Sequence, residues 1–444
     1  MNRIRLVYPV IFVTALALWA MAGGMAFNTG DFWGWQESMM NLSGLLAGIA
    51  MILCVILAAR WPWLDKQLHG LDKGYRLHKW LGITAGIMAV MHWLLNQSEG
   101  WVVGFGLLAE PEDGPDEEPV GQLMQWLSQL EELPLARDAG EIGFYALVFL
   151  AVVALVKRIP YRWFFLSHRF MVPVFLMLVY HSIAMMPASW WPQLVGLFML
   201  ILMVVGVVTS VDILVRKSRR ARTVNATVRK LHHYPDSQIL QIDLSVQEQW
   251  TGHKAGQFAF VTFDPKEGPH PFSLARSWQN DGQLQFMVKG LGDYTRTLPE
   301  NLKEGQKVSV EGPYGGFNFE DDSPVQVWIA GGVGIVPFKS RLLQLADNPE
   351  HKEIHMFYST QVADPQFEDQ LRALATKAGI QLYIVNTSEQ PLLDSTAICG
   401  LVSRWKDASW WFCGPLTMGT ALQKQLASKG VKDKDFHKEL FNMR

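Results

Sequence analysis

The sequence predicts a membrane-embedded bundle of six helices followed by two smaller domains that contain β-sheets. Hydrophobic residues make up 49% of the 444 residues and charged residues only 18%, which is unusual for a wholly soluble protein. Most of the apolar residues lie before about residue 215. After that point short alternating strands come first, as in an antiparallel β-barrel, and then strands that alternate with helical segments, as in a parallel α/β sheet. The predicted domains are residues 1–217, 218–322 and 323–444.

Six apolar stretches are long enough, or nearly so, to cross a bilayer as helices. The first resembles a signal peptide, because Arg3 and Arg5 precede it, but the five spans that follow favour an uncleaved helix. The fourth is the shortest and is extended backward to Ala139 in this prediction. The predicted spans are Leu6–Phe27, Met39–Ala59, Leu77–Leu95, Ile142–Val156, His168–Met186 and Leu194–Val215.

Basic residues give the predicted orientation. They cluster before the first span, between spans two and three, between spans four and five, and after span six. The segment from Asn96 to Asp138, between spans three and four, holds ten acidic residues and only Arg137 as a base. By the positive-inside rule both termini are cytoplasmic and the acidic loop faces outward. We expect an integral membrane protein surrounded by lipid, as in a bacterial inner membrane.

Composition excludes two classes of function. The net charge of −2 and the absence of a basic stripe argue against a nucleic-acid partner. The three cysteines, Cys54, Cys399 and Cys413, are far apart, and an iron–sulfur cluster needs four thiolates. An iron–sulfur reductase is therefore not expected.

Four histidines lie on two predicted spans that run in the same direction. His78 and His92 are on the third span, and His168 and His181 are on the fifth. A step of thirteen or fourteen residues rises about 20 Å along a helix, which separates two layers enough to hold one haem above another. Single intramembrane histidines more often bond to a neighbouring helix, but two pairs at matched depth favour haem ligation. His69 lies in a cytoplasmic loop and is expected to be solvated.

The two spacings differ in helical phase. The fourteen-residue step on the third span returns to within about 40° of the same face, whereas the thirteen-residue step on the fifth leaves an offset of about 140°. Pro173 lies between His168 and His181 and removes a backbone hydrogen bond. A local distortion at this proline would bring both imidazoles to one face.

The soluble part contains four motifs that follow predicted strands. Each places backbone N–H groups, a hydroxyl or a thiol at a strand end, where a nucleotide can bind. A proline-containing turn or a glycine turn alone is weak evidence for such a site, but a glycine loop directly after a buried strand is stronger. The motifs are His270-Pro271-Phe272-Ser273, Lys289-Gly290-Leu291-Gly292-Asp293-Tyr294-Thr295, Gly331-Gly332-Val333-Gly334-Ile335-Val336-Pro337 and Cys413-Gly414-Pro415.

In this ordered combination the chain resembles the NADPH oxidase/ferric reductase superfamily. The resemblance implies two b-type haems held by the four histidines, FAD, and NADPH or NADH as electron donor. It also implies the roles of the soluble motifs: a flavin motif at residues 270–273, a phosphate-binding turn with Lys289, Gly292 and Thr295, a nicotinamide-side loop with Gly331, Gly332, Gly334 and Pro337, and Cys413 and Gly414 near the nicotinamide. Ser273 and Cys413, with Glu439 and Phe441 beside the flavin, are the implied catalytic residues.

Two features depart from the family pattern. Relatives that prefer NADPH often carry an arginine shortly after the second strand of the nucleotide domain, where this chain has Gln361. Arg276 or Arg341 are the alternatives for that role. The chain also continues from Phe441 to Arg444, so the aromatic residue beside the flavin is not the last residue.

We expect electrons to pass from cytoplasmic NAD(P)H through FAD and two haems to an acceptor on the opposite face. Ferric chelates are the leading acceptor, because the acidic loop Glu110–Glu118 can attract cationic metal species. A solvated loop with no role in function explains these charges equally well. Oxygen is the second candidate, and a periplasmic partner protein is the third. A six-helix channel or transporter with a nucleotide-sensing domain is a different class, which an NAD(P)H-reducible haem spectrum would exclude.

Overall fold

The structure is a computed structural model that forms two compact units. Met1–Leu64 and Gly74–Ser218 belong to the first unit, and Asp65–Lys73 and Arg219–Met443 belong to the second. The structure describes residues 2–25, 32–68, 70–109, 135–156, 158–215, 221–246 and 250–439.

Helices make up the described part of the first unit. Their apolar side chains form a core around Ile49, Ile52, Phe175 and Met199, all at most 5% exposed. The short α3 lies in the loop that follows α2. The helices are α1 (Asn2–Trp19), α2 (Phe32–Ala58), α3 (Pro62–Leu68), α4 (Leu71–Gly104), α5 (Ala136–Leu155), α6 (Tyr161–His168), α7 (Met171–Met185) and α8 (Leu194–Val215).

Four stretches of helix in the described residues are long and apolar enough to cross a membrane. They are Phe32–Ala58, Ala136–Leu155, Tyr161–Met185 and Leu194–Val215. The first predicted span is a helix with a shorter apolar part, Tyr8–Gly24. The third lies in α4, which is 34 residues long but carries charged and polar residues towards both ends. The structure therefore shows a helical membrane domain with four candidate spans.

The fifth predicted span is interrupted immediately after His168. Helix α6 ends at His168 and α7 begins at Met171. Between them the Phe170 N–H donates to the Ser167 carbonyl at 2.9 Å, a tighter turn than that of an α-helix. Pro173 has no N–H to donate to the carbonyl four residues earlier, so the regular ladder cannot continue through this turn. The break changes the helical phase between His168 and His181.

The second unit begins with a six-stranded antiparallel sheet. The strand order is β4-β3-β6-β1-β2-β5. Buried aliphatic and aromatic side chains, among them Ile242, Val261 and Phe286, fill its interior. The strands are β1 (Thr223–Tyr234), β2 (Ile239–Val246), β3 (Phe258–Thr262), β4 (His270–Ser273), β5 (Gln283–Lys289) and β6 (Lys307–Tyr314), and α9 (Asp293–Asn301) follows β5.

A five-stranded parallel sheet follows, in the order β11-β10-β7-β8-β9. Its two central strands, β7 and β10, are completely buried, which is typical of strands covered on both faces. The elements are β7 (Val325–Gly331), α10 (Val336–Asp347), β8 (Glu353–Thr360), α11 (Pro365–Lys377), β9 (Gln381–Asn386), α12 (Ser395–Leu401), β10 (Ala408–Cys413), α13 (Leu416–Ser428) and β11 (Phe436–Lys438).

The segment Asp65–Lys73 packs with the second unit although it connects two helices of the first. Gly70 adopts φ +127°, and a Cβ there would lie 3.4 Å from the Gly316 amide nitrogen. Burial raises the pKa of Asp65 to about 6, against the opposing charges of Arg222 and Lys73. The domain boundaries predicted from sequence place this segment in the membrane domain, since covalent order alone cannot show where a loop docks.

Two glycines with similar backbone conformations test the packing of the antiparallel sheet. Gly256 has φ +87° and Gly305 has φ +83°. A Cβ at Gly256 would lie 1.7 Å from the Phe317 carbonyl oxygen, whereas one at Gly305 meets nothing within 4 Å. We expect Gly305→Ala to cost about 1 kcal/mol through its backbone conformation alone, and Gly256→Ala to cost roughly twice that or more. Thermal unfolding of the purified chain in detergent, followed by circular dichroism, measures both. Equal shifts in the two variants would show that the Phe317 carbonyl does not pack against Gly256.

Candidate functional site

The four membrane histidines lie in two facing pairs in the first unit. The ring centroids of His78 and His168 are 6.0 Å apart, with an interplanar angle of 69°. Those of His92 and His181 are 6.3 Å apart, with an angle of 80°. In each pair one imidazole comes from α4, and the other comes from the end of α6 or from α7.

Backbone carbonyl groups fix the orientation of three of these imidazoles. His78 Nδ1 lies 3.0 Å from the Cys54 carbonyl, His92 Nδ1 lies 2.9 Å from the Met40 carbonyl, and His181 Nδ1 lies 3.0 Å from the Ala136 carbonyl. An imidazole that donates from Nδ1 presents its Nε2 lone pair in the opposite direction, as metal-binding histidines do. The fourth, His168, has a buried Nδ1 with no hydrogen-bond partner among the described residues.

The spacing of the pairs fits a metal ion between each two rings. Two imidazoles that bind one ion from opposite sides, with metal–nitrogen distances of about 2 Å, have ring centroids roughly 6 Å apart. Within the part of the chain that the structure covers, no group of three or more histidine, cysteine, aspartate or glutamate side chains could hold a metal ion. A haem iron takes only two axial ligands from the protein, so these pairs suit it.

The sequence prediction missed the residues that support the imidazoles. A Cβ at Gly140 would lie 2.4 Å from His181 Nδ1, and one at Gly44 would lie 3.2 Å from His92 Nδ1. The close approach of α5 to His181 therefore requires a glycine. A glycine inside an apolar helix is the only sequence signal for such a contact, because a backbone carbonyl acceptor has no residue signature.

The structure brings the first two soluble motifs together. His270 on β4 lies 4.9 Å from Tyr294 on α9, measured between ring centroids. Burial raises the pKa of Tyr294 to about 12, with a further contribution from Asp264 and Glu267. Burial lowers the pKa of His270, so its imidazole is neutral at pH 7. Pro271 and Phe272 lie between His270 and Ser273 on the same strand.

Thr295 organises the turn between β5 and α9. Its Oγ1 accepts hydrogen bonds from the amides of Leu291, at 3.1 Å, and of Gly292, at 3.0 Å. The turn follows Lys289, the last residue of β5, and opens a helix N-terminus, where backbone N–H groups favour a phosphate. The predicted phosphate-binding residues are therefore adjacent, at one end of the antiparallel sheet.

The other two motifs meet at the carboxyl ends of β7 and β10, where Ala330 and Cys413 are paired. A Cβ at Gly334 would lie 2.2 Å from the Cys413 carbonyl oxygen, and one at Gly331 would lie 2.6 Å from Pro415 Cδ. Both glycines are thus required for this close approach. A Cβ at Gly332, which has φ +54°, meets nothing within 4 Å, so the loop has open space on that side. Pro337 follows in the first turn of α10, and Gly414 follows Cys413.

Two predicted catalytic side chains, Cys413 and Glu439, lie close together. Burial raises the pKa of Cys413 well above its ordinary value, and the charge of Glu439 adds to the rise, so the group is a thiol rather than a thiolate. Burial raises the pKa of Glu439 well above its usual range, and Asp72 adds to the rise while Lys73 opposes it. The Glu439 carboxyl is therefore harder to ionise than a carboxyl in water. Sequence reasoning did not anticipate that Asp72 and Lys73 contribute to its surroundings.

Ser273 Oγ and Glu439 Oε2 are buried and have no hydrogen-bond partner among the described residues. A Cβ at Gly315 would lie 3.6 Å from Glu439 Oε1 and 3.1 Å from Phe258, the strand partner of Ser273. Such unsatisfied groups are expected where a polar ligand completes a site. They suit the polar edge of a flavin ring. Phe441, the remaining predicted residue, lies outside the described residues.

Family models match two successive segments of the chain. Residues 43–179 match the ferric reductase like transmembrane component, a range that includes His78, His92 and His168 and ends just before His181. Residues 223–318 match an FAD-binding domain, a range that includes residues 270–273 and the turn at Thr295.

Curated relatives match somewhat less than half of the chain. The anthranilate 1,2-dioxygenase electron transfer component of Acinetobacter baylyi is 25% identical over 219 residues, which cover 46% of this chain and 62% of the relative. One component of the Na(+)-translocating NADH-quinone reductase of Psychrobacter arcticus is 24% identical over 229 residues, which cover 46% of this chain and 54% of the relative. The chain thus spans between half and two thirds of the length of these relatives.

Among solved structures, the FAD/NAD-binding domain of nitric oxide dioxygenase from Vibrio cholerae aligns with 49% of this chain and 97% of its own length, with a TM-score of 0.42 and 22% identity.

The two family models, in this order on one chain, confirm the resemblance that the sequence motifs indicated. The chain therefore contains a segment that matches a ferric reductase-like transmembrane component, followed by a segment that matches an FAD-binding domain.

Proposed function

We propose that the chain is an NAD(P)H-dependent transmembrane reductase that carries electrons through FAD and two b-type haems to an acceptor across the membrane. One observation carries this proposal: the chain has two facing histidine pairs, with centroid distances of 6.0 and 6.3 Å, ahead of an FAD-binding domain, and His78, His92 and His168 fall within the ferric reductase-like match. His78 and His168 would hold the inner haem, and His92 and His181 the outer one.

The bound cofactors would supply the change from two-electron hydride chemistry to single-electron transfer. The residues of the chain provide placement and proton handling. The Ser273 hydroxyl is a buried donor at the flavin edge, and the Glu439 carboxyl is a buried group that can hold a proton near it. The Cys413 backbone carbonyl packs against Gly334, and the Cys413 side chain is a buried, uncharged thiol at the strand ends, where a nicotinamide would lie. The relative from an NADH-quinone reductase supports a nicotinamide as the electron donor.

The proposal includes six spans and a closed barrel. Helices α1 and α4 would be the two additional spans, which gives an even number of crossings and two cytoplasmic termini, as the basic loops indicate. An isolated bridge between Leu274 and Phe286, with a 2.7 Å hydrogen bond from the Ala275 N–H to the Gln285 carbonyl, supports contact between the β4 and β5 edges of the sheet. That contact would close the barrel.

We propose ferric chelates as the acceptor. The acidic segment at residues 110–118 lies outside the described residues, so this choice rests on its charge and on the predicted outward orientation. Oxygen and a periplasmic electron-transfer protein are the competing acceptors, and one experiment separates all three.

Anaerobic addition of NADH or NADPH to the purified chain, followed by absorbance, tests the proposed pathway. We expect the flavin band to bleach and reduced b-type haem bands to appear, and then to disappear when a ferric chelate is added. If oxygen but not the chelate reoxidises the haems, oxygen is the acceptor instead of ferric chelates. If neither reoxidises them, a periplasmic partner protein is favoured as the acceptor. A protein with no haem spectrum would contradict the whole pathway.

Substitution of Gly140 tests the outer haem site. The Cβ of Gly140→Ala would collide with His181 at 2.4 Å, so the ring must turn away from His92. We expect the haem content to fall by about half, since only the outer layer is lost. Gly100→Ala on α4, where a Cβ meets nothing within 4 Å, is the matched control. Haem per chain is measured as the pyridine complex, with FAD content as the check on folding. Full haem content in Gly140→Ala and in His181→Ala would rule out the outer site.

Two buried serines test the flavin edge. Ser273 and Ser340 both have a buried Oγ without a hydrogen-bond partner in the described part of the chain, so loss of either hydroxyl removes no bond within the protein. We expect Ser273→Ala to slow flavin reduction about tenfold, because a hydrogen bond to the flavin is worth about 1 kcal/mol or slightly more. Ser340→Ala should leave the rate unchanged. Stopped-flow absorbance measures flavin reduction in both variants. Equal rates of flavin reduction would show that Ser273 does not bond to the flavin.

A further inference from the structure

The carboxyl end of β8 is the part of the nucleotide domain where the adenosine ribose of a bound dinucleotide would lie. In dinucleotide-binding α/β sheets the glycine loop after one strand takes the pyrophosphate, and the end of the neighbouring strand lies by the adenosine ribose. Here the glycine loop follows β7, and β7 pairs in parallel with β8, with Gly331 opposite Ser359. NADH and NADPH differ only at the ribose 2′ position, so the residues that follow Ser359 would lie near the one group that distinguishes the two nucleotides.

Two carboxylates, those of Asp364 and Glu368, follow the end of this strand at Thr360 by four and eight residues. Asp364 caps α11, and one of its oxygens accepts a hydrogen bond from the Phe367 amide at 3.1 Å. Glu368, one turn later, accepts from the Asp364 amide at 3.4 Å. A small pocket here is lined by Asp364 and Glu368, together with Tyr234, Tyr358 and other uncharged residues. Both charged residues that line it are therefore acidic.

The charges of Asp364 and Glu368 contribute to raised pKa values of the neighbouring tyrosines. Burial raises the pKa of Tyr358, a hydrogen bond with Thr360 opposes the rise, and Glu368 and Asp364 add to it. Burial also raises the pKa of Tyr234, and the charge of Asp364 raises it further. Two separate side chains thus experience a negative potential at the strand end. A 2′-phosphate, with a charge of about −2, would meet the same potential.

The two arginines that could compensate are already bound by carboxylates. Arg276 forms an ion pair with Asp281 at 2.8 Å and also donates to Gln279 and Gln283. Arg341 donates to both carboxylate oxygens of Glu350 at 2.7 Å. Gln361, at the position where NADPH-preferring relatives often carry arginine, is uncharged. Arg372 is on the same helix as Glu368, but four residues, or about 6 Å, farther along the axis from the strand end.

We propose that the chain uses NADH in preference to NADPH, and that Asp364 and Glu368 are the residues that exclude the 2′-phosphate. The inference rests on the proposed function, since it names the donor of that pathway. The second oxygen of Asp364 can accept a hydrogen bond from the 2′-hydroxyl of the adenosine ribose. NADH has this hydroxyl, whereas NADPH carries a phosphate at the same position. The preference arises from repulsion of the phosphate as well as from attraction of the hydroxyl.

The test compares both nucleotides on the full-length protein in detergent. We expect kcat/KM for flavin reduction to be at least tenfold higher with NADH than with NADPH. Asp364→Ser, which keeps a helix-capping side chain, and Glu368→Gln should each lower the ratio of kcat/KM with NADH to kcat/KM with NADPH several-fold. Gln361→Arg should lower this ratio further. Asp369→Asn removes the adjacent carboxylate on α11, which does not line the pocket, and should leave the ratio unchanged.

A binding measurement without turnover separates this inference from the pathway itself. Calorimetric titration of the same variants with ADP and with 2′,5′-ADP should show at least tenfold weaker binding of 2′,5′-ADP to the parent protein, and a smaller difference in Asp364→Ser. If neither nucleotide reduces the flavin, the proposed pathway fails, and the titration still decides the specificity. Equal or tighter binding of 2′,5′-ADP, no binding of either probe, or the same ratio in Asp364→Ser as in Asp369→Asn would overturn the inference.

Discussion

The proposed pathway depends on the separation of facing imidazoles inside the first unit. A gap of about 6 Å between ring centroids is too wide for a hydrogen bond between the rings and matches a metal ion held from both sides. Three backbone carbonyls, those of Cys54, Met40 and Ala136, hold the rings in the orientation that keeps the gap open. In lipid, a carbonyl that accepts from an imidazole also satisfies a polar group that has no access to water. The same hydrogen bond therefore stabilises the ring orientation and reduces the cost of burying it.

The sequence predicted the helices, the strands and the chemical motifs better than it predicted the residues that pack against the motifs and orient them. Hydrophobic length and strand alternation located the helices and both sheets because those patterns follow directly from burial. The phase mismatch between His168 and His181 pointed to a distortion near Pro173, and the structure has its break at Arg169–Phe170. Gly140 and the carbonyl of Ala136 were not predicted, since helix–helix approach depends on tertiary packing that no local pattern encodes.

The segment Asp65–Lys73 shows the same limit in the soluble part. By sequence it is a short loop between two membrane helices, yet it packs with the second unit and places Asp72 and Lys73 near Glu439. Several buried ionisable groups meet there, and burial keeps the Asp65 and Glu439 carboxyls harder to ionise than they would be in water. A flavin that exchanges both protons and electrons would find a proton-holding group at this position. The linear sequence could not show this cluster, because Glu439 is more than 350 residues from Asp65, Asp72 and Lys73.

Low-temperature electron paramagnetic resonance of the oxidised, purified protein tests the central claim most directly. The two histidine pairs predict two low-spin ferric haems per chain, each with its own low-spin signal. Two such signals, in a one-to-one ratio, would support both pairs as haem ligands. A high-spin iron signal, or the absence of any haem signal from a folded, flavin-containing protein, would contradict the account.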